Sequence, residues 1–128
     1  MNQILIDSSV LKAHLDGCEA AAEFLQTLAQ SDAPLPVISA ITELEMYRMS
    51  WGQADPKIIA KLLATVKILP LSSVIAQRAG GLKEQYSEIG MEHAIVAATA
   101  LEYRFTLVTF NVKVYKMIPG LIVFNVPE

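Results

Sequence analysis

The stretch Glu92–Phe110, EHAIVAATALEYRFTLVTF, decides the fold of this chain. Its first part, Glu92–Tyr103, predicts a helix that is apolar on nearly all sides, and such a helix is expected to be buried. Its second part, Phe105–Phe110, is a short aliphatic run that predicts a strand. The rest of the chain repeats this alternation of helix and strand.

Further strands and helices are predicted on both sides of this stretch. Short apolar runs predict strands over 3–7, 35–39, 67–71 and 120–126. The segments between them predict helices over 8–15, 18–30, 40–51, 55–66 and 72–90, with a short helix or turn over 111–118. Most of the strands lack alternation of polar and apolar residues, which indicates a parallel sheet covered on both faces. We therefore predict one α/β domain over 1–128, with helices in layers on both sides of a central parallel sheet.

Local signals indicate where several helices begin and end. Asp7 or Ser8 is suited to cap the first helix, because short polar side chains accept hydrogen bonds from its free N–H groups. Asp55 is expected to cap the helix over 55–66, with Pro56 at its first position. Gly90 is expected to end the helix over 72–90.

Composition and charge limit the classes of function. The chain has 128 residues, of which 53% are hydrophobic, and no apolar run is long enough to span a membrane. The single Cys18 cannot form an internal disulfide and the N-terminus does not resemble a signal peptide, so we expect a cytoplasmic protein. The net charge is −3. Because proteins that bind nucleic acid by charge alone are usually basic, nucleic-acid chemistry here must depend on a local site or a bound cation.

Polar residues at the predicted strand ends are the candidates for a functional site. In parallel α/β sheets, ligands bind beyond the carboxyl ends of the strands. The residues at these positions are Asp7, Ser8, Ser39, Glu43, Glu45, Glu92, His93, Thr109 and Asn111.

Each candidate also has a structural interpretation. Asp7 is either a ligand-binding carboxylate or a helix cap. Glu43 and Glu45 lie about 200° apart around their helix, so at most one of them faces the strand ends. His93 is either a ligand or a structural residue near a helix start. Thr109 and Asn111 either orient a water or a phosphate oxygen or serve ordinary turn chemistry.

The order and spacing of four segments resemble those of PIN domains, and specifically of VapC-type toxins from prokaryotic toxin–antitoxin pairs. The segments are ILIDSSVLKAHL (4–15), PVISAITELEMYR (36–48), GMEHAIVAATALE (90–102) and LVTFNVKVYKMIPGLIV (107–123). The resemblance implies a three-layer α/β/α PIN-like fold and metal-dependent endoribonuclease activity. In such enzymes clustered carboxylates hold Mg²⁺ or Mn²⁺, which activates a water and neutralises charge on the phosphodiester.

The resemblance also assigns roles to individual residues. It implies that Asp7 is the first acidic ligand and Glu45 the second, which makes Glu43 a surface neighbour. Asn111 matches a polar position of the fourth motif, and Thr109 matches the hydroxyl residue two places before it. With Ser8, Thr109 is expected to help orient the substrate. The implied partners are an RNA substrate, a small antitoxin that packs across the active-site groove, and a second copy of the chain in a homodimer.

Two positions depart from the family pattern. His93 stands where an aspartate ligand is expected, and Val114 stands where many members have Asp in the pattern N-x-K-D-F. Mg²⁺ prefers oxygen ligands, so a site of Asp7, Glu45 and His93 is expected to bind it weakly or to prefer Mn²⁺, Zn²⁺ or Ni²⁺. Glu92 is adjacent to His93 but points about 100° away from it around the helix, so it could replace the missing carboxylate only if the helix starts later than predicted.

The sequence therefore supports two hypotheses of different classes. The first is a VapC-like endoribonuclease with an altered third metal ligand. The second is a catalytically silent PIN domain that binds a protein or RNA, for example as a decoy for an antitoxin. A metal titration together with an RNA cleavage assay distinguishes them.

Overall fold

Five short strands form a parallel sheet at the centre of the molecule. The structure is a computed structural model that describes residues 3–50 and 54–127. The strands are β1 (Ile4–Ile6), β2 (Val37–Ser39), β3 (Lys67–Leu69), β4 (Thr106–Thr109) and β5 (Ile122–Asn125). Their order is β3-β2-β1-β4-β5, and each neighbouring pair is parallel. The central parallel sheet is confirmed, and β1 lies in its middle.

Helices connect the strands, as the alternation in the sequence predicts. They are α1 (Ser8–Leu15), α2 (Glu19–Gln30), α3 (Ala40–Ser50), α4 (Pro56–Leu63), α5 (Ser73–Gln85), α6 (Met91–Tyr103) and α7 (Val112–Tyr115). Trp51, the last residue of the helix predicted over 40–51, lies outside the described residues. Among the described residues, we find no helix with the length and apolar character needed to cross a membrane.

The sheet separates two hydrophobic cores. Leu5 and Leu107 contribute to one core with residues of α5 and α6, while Ile6 and Val108 contribute to the other with residues of α1 to α4. Successive side chains of a strand point to opposite faces of a sheet, so adjacent residues of β1 and β4 enter different cores. This arrangement is the predicted three-layer α/β/α fold.

Helix α6 is buried, as its apolar sequence predicts. All residues from Ala94 to Ala100 are buried. The hydroxyl of Thr99 is satisfied within the helix, because it donates to the carbonyl oxygen of Ile95 at 2.7 Å. This packing fixes the first turn of α6, which carries Glu92 and His93, at the carboxyl edge of the sheet.

The helix ends agree with the sequence in part. Asp55 caps α4 and accepts from the backbone N–H of Lys57 at 2.9 Å. Helix α5 ends at Gln85, so the prediction that it runs to Gly90 was wrong. Gly90 is instead the residue that precedes α6. Only a few residues separate α5 from α6. From sequence alone, Gly90 could therefore either end the first helix or precede the second.

Candidate active site

Asp7 is the centre of the candidate site. It follows β1 and precedes α1, but its side chain makes no capping hydrogen bond to that helix. Its carboxylate is buried and accepts three hydrogen bonds from side-chain hydroxyls. Ser9 and Thr109 both donate to Oδ2 at 2.8 Å, and Tyr115 donates to Oδ1 at 2.9 Å. The carboxylate therefore bonds to hydroxyls at the carboxyl edge of the sheet and does not cap α1.

The hydroxyls of Ser9 and Thr109 are themselves held in place. The two hydroxyl oxygens lie 3.2 Å apart. The oxygen of Ser9 accepts from the backbone N–H of Phe110 at 3.0 Å, and that of Thr109 accepts from the N–H of Asn111 at 2.8 Å. Since β1 and β4 are neighbours in the sheet, their ends bring these residues together. The backbone thus fixes the orientation of the Asp7 carboxylate.

Tyr115 connects Asp7 with the other acidic residues. Its side chain is fully buried. Burial raises the pKa of the Tyr115 hydroxyl well above its usual range, and the charge and hydrogen bond of Asp7 and the charges of Glu45 and Glu92 raise this pKa further. The hydroxyl therefore stays protonated and remains a donor to Asp7. The negative charges that act on Tyr115 belong to Asp7, Glu45 and Glu92, and carboxylates of this kind attract cations.

Glu45 faces the site from α3 and forms an ion pair with Lys12 of α1. The Nζ of Lys12 lies 3.4 Å from Oε2 of Glu45, with 38% of the Lys12 side chain and 17% of the Glu45 side chain exposed. Glu43 lies two residues earlier on the same helix and is half-buried. The contact with Lys12 places the Glu45 carboxylate beside α1, the helix that follows Asp7.

His93 lies in the first turn of α6, beside Tyr115. The two rings meet edge to face, with centroids 5.5 Å apart and an angle of 87°. Nδ1 of His93 is buried and, among the described residues, has no hydrogen-bond partner. It lies 3.7 Å from Oε1 of Glu92, whose carboxylate folds back over Gly90. The imidazole thus contacts the residue that holds Asp7.

The donor atoms near Asp7 are of the types that divalent cations prefer. Asp7, Glu45 and Glu92 provide hard oxygen ligands of the kind Mg²⁺ and Mn²⁺ prefer, and His93 provides a buried nitrogen that lacks a partner. Within residues 3–50 and 54–127, no three His, Cys, Asp or Glu side chains converge closely enough to hold a metal ion as they stand. As the structure stands, the Asp7 carboxylate is bound by three hydroxyls and Glu45 is paired with the ammonium of Lys12.

The remaining predicted site residues at this edge of the sheet differ in how far they are buried. Thr109 contacts Asp7 directly, and Ser8 is buried in the first turn of α1. Asn111 is exposed and contributes its backbone N–H to Thr109. Ser39 caps α3, because its Oγ accepts from the N–H of Ile41 at 3.1 Å.

Three residues of the site were missed in the sequence: Ser9, Lys12 and Tyr115. Ser9 lies two positions after Asp7, a spacing that allows a hydroxyl to turn back to a carboxylate. Lys12 follows one turn later on α1. The sequence signal for Tyr115 is weaker. This tyrosine lies in the short helix or turn predicted over 111–118, where no pattern indicates that its hydroxyl reaches Asp7. Its contact with Asp7 depends on the tertiary fold alone.

Comparisons with known proteins agree with this fold. A family model described as the PIN domain matches residues 4–118. Ribonuclease VapC10 from Mycobacterium tuberculosis is 36% identical over 122 residues, which cover 92% of this chain and 90% of that protein. A toxin–antitoxin complex from Klebsiella pneumoniae contains a similar chain, with a TM-score of 0.82, 28% identity, and coverage of 98% of this chain and 99% of that one.

A further solved structure is VapBC2 from Rickettsia felis, bound to a DNA fragment from the promoter. The similarity has a TM-score of 0.76 and 25% identity, and it covers 95% of this chain and 97% of that one. The family model and the relative in M. tuberculosis each span most of the chain. The chain therefore belongs to the PIN-domain family, among its VapC-type members.

Proposed function

We propose that this chain is a VapC-type endoribonuclease, the toxin of a toxin–antitoxin pair, and that its activity depends on a divalent cation. The observation that carries the proposal is the buried Asp7 carboxylate at the carboxyl edge of the sheet, which three side-chain hydroxyls hold in place. The similarity to Ribonuclease VapC10 supports RNA as the substrate.

Asp7, Glu45 and His93 are the residues proposed to hold the cation, with Glu92 as the adjacent carboxylate that could assist. When bound, the cation would activate a water and neutralise charge on the attacked phosphodiester. We expect Mn²⁺ to be preferred over Mg²⁺, because an imidazole suits the softer ion better. For binding, Glu45 must exchange its contact with Lys12 for one with the cation.

The surrounding polar residues are proposed to position the carboxylate and the RNA. Thr109 orients Asp7 through its hydrogen bond to Oδ2. Asn111 is exposed at the rim, where its amide would contact a phosphate or sugar oxygen of RNA. Ser8 directly follows Asp7 and is proposed to help orient the substrate from the first turn of α1.

The partners follow from the solved relatives. The similar chains from Klebsiella pneumoniae and Rickettsia felis belong to toxin–antitoxin complexes, so we propose a small antitoxin that covers this site. A homodimer and a cytoplasmic location belong to the same proposal. Co-purification of the chain with the product of an adjacent small gene would test the antitoxin.

A catalytically silent binding module is the second candidate function. The observation that favours it is that, in the part of the chain that the structure describes, no three ligand side chains converge on a metal position. Such a protein would bind RNA or an antitoxin without cutting RNA.

An RNA cleavage assay with added Mn²⁺ separates the two functions. The proposed nuclease cuts RNA in the presence of Mn²⁺, stops when the cation is chelated, and loses at least about 100-fold in rate in Asp7→Asn, because one ligand of a metal site is removed. Asp32→Asn, which changes an exposed aspartate in a loop, is the matched control and should keep full activity. Cleavage that is unchanged in Asp7→Asn, or absent from the wild type, contradicts the proposal.

A further inference from the structure

We propose that Tyr115 is a positioning residue that restricts Asp7 to a single coordination position and thereby weakens the affinity of the site for a divalent cation. This inference rests on the proposed function, in which Asp7 is a cation ligand. It concerns how the chain's own hydroxyls compete with the cation for one carboxylate.

The hydrogen bonds of Asp7 leave little room for a cation. A carboxylate has about four lone-pair positions. Oδ2 uses two of them for the hydroxyls of Ser9 and Thr109, and Oδ1 uses one for the hydroxyl of Tyr115. About one position therefore remains, on Oδ1, so Asp7 can bind a cation through one oxygen only.

The three donors differ in what they contribute. Ser9 and Thr109 are fixed by backbone N–H groups of the segment after β4, and together they already orient the carboxylate. Tyr115 adds a third donor to the one oxygen that a cation can still reach. Its hydrogen bond withdraws electron density from that oxygen, which makes Asp7 a poorer ligand.

Tyr115 cannot move away easily. Its side chain is fully buried, and its ring packs against His93. A cation that binds at Oδ1 must therefore share this oxygen with the hydroxyl of Tyr115.

Tyr115→Phe tests the inference, because it removes the hydroxyl and keeps the ring. We expect calorimetry to show Mn²⁺ binding on the order of 10-fold tighter than in the wild type, because a hydrogen bond that competes with the cation for this charged oxygen is removed. Without metal, the same variant should melt a few degrees lower, because Asp7 loses a buried hydrogen bond. A purely structural role would lower stability without tightening Mn²⁺ binding.

Tyr103→Phe is the matched control. Tyr103 is an exposed tyrosine at the last position of α6, where it stacks on Phe105. Its change should alter neither Mn²⁺ affinity nor stability. Equal or weaker Mn²⁺ binding in folded Tyr115→Phe overturns the inference.

A second measurement uses the wild type and does not require a variant at position 115 to fold. Cation binding at Oδ1 weakens the hydrogen bond that this oxygen accepts, so titration with Mg²⁺ should change the ultraviolet absorption of a buried tyrosine. The signal should saturate with the binding curve and persist in Tyr103→Phe. A flat tyrosine spectrum at saturating cation contradicts the inference.

The outcomes separate this inference from the proposed function. If Asp7→Asn binds Mn²⁺ as tightly as the wild type, the proposed cation site itself is wrong. If Asp7→Asn loses binding while Tyr115→Phe shows no gain, the cation site stands and only the role of Tyr115 is wrong.

Discussion

Asp7 and Glu45 are the two carboxylates proposed as acidic cation ligands, and the protein holds them in different ways. Asp7 is buried between neighbouring strand ends and accepts hydrogen bonds from three hydroxyls. Glu45 extends from a helix and meets one flexible ammonium, that of Lys12, at a partly exposed position. The first carboxylate is fixed by the sheet, whereas the second can change partner at small cost.

This difference indicates how a cation could bind without a change of fold. A buried charge requires paired groups at all times, so Asp7 must keep its hydroxyls in the absence of metal. A partly exposed ion pair contributes little to stability, so Glu45 can leave Lys12 for a better partner. His93, which also lies at the partly exposed side, has a nitrogen that gains a partner if a cation binds.

The largest effect is expected where the carboxylate is most tightly held. Thr109→Val keeps the shape of the side chain and removes the donor to Oδ2 of Asp7. We expect it to lower the free energy of unfolding by about 2 kcal/mol, because a buried charged group loses a hydrogen bond. Urea denaturation measures this difference.

Thr27→Val is the control for that prediction. The hydroxyl of Thr27 donates to the carbonyl oxygen of Glu23 on an exposed face of α2. Its loss should change the free energy of unfolding by less than about 0.5 kcal/mol. Similar losses of stability in the two threonine variants would show that the hydrogen bond of Thr109 to Asp7 contributes no more than one on the protein surface.

The fold was more predictable from the sequence than the site. The apolar composition of Ala94–Ala100 predicts that this segment is buried, as it is. The alternation of helix and strand predicts the position of strand ends such as Asp7. The resemblance to PIN domains then distinguished Glu45 from Glu43, which helical geometry alone had left open. The contact of Lys12 with Glu45 is consistent with that assignment.

The partners of the acidic residues could not be predicted, because they are set by tertiary packing. Tyr115 lies 108 residues after Asp7, and Lys12 lies 33 residues before Glu45. No local pattern specifies which hydroxyl or ammonium will reach a given carboxylate across such separations. The orientation of His93 against Tyr115 depends on the same packing.

A smaller effect is expected at His93. His93→Asp places an anionic oxygen ligand at the start of α6, beside the carboxylates that already influence Tyr115. We expect Mg²⁺ affinity to rise on the order of 10-fold and RNA cleavage to rise with it, because Mg²⁺ prefers oxygen ligands. Parallel Mg²⁺ titrations and cleavage assays of both proteins measure the change.

His14→Asp is the control for the added carboxylate. His14 lies in the last turn of α1, whereas His93 lies in the first turn of α6. That variant should leave Mg²⁺ affinity unchanged. A folded His93→Asp variant with no gain in Mg²⁺ binding or cleavage would mean that another change, such as Val114, limits the site.

The smallest effect is expected from Lys12, and it tests whether Glu45 is free to change partner. Lys12→Met removes the ammonium that lies 3.4 Å from Glu45 and keeps a long apolar side chain. Because 38% of the Lys12 side chain is exposed, stability should change by less than about 0.5 kcal/mol. Mn²⁺ affinity should rise about 3-fold, since the cation no longer competes with the ammonium for Glu45. Lys61→Met, at an exposed position of α4, controls for the loss of one positive charge. If Lys12→Met instead weakens Mn²⁺ binding while Lys61→Met does not, the ammonium of Lys12 positions Glu45 for the cation, and the contrast between the fixed and the exchangeable carboxylate is wrong.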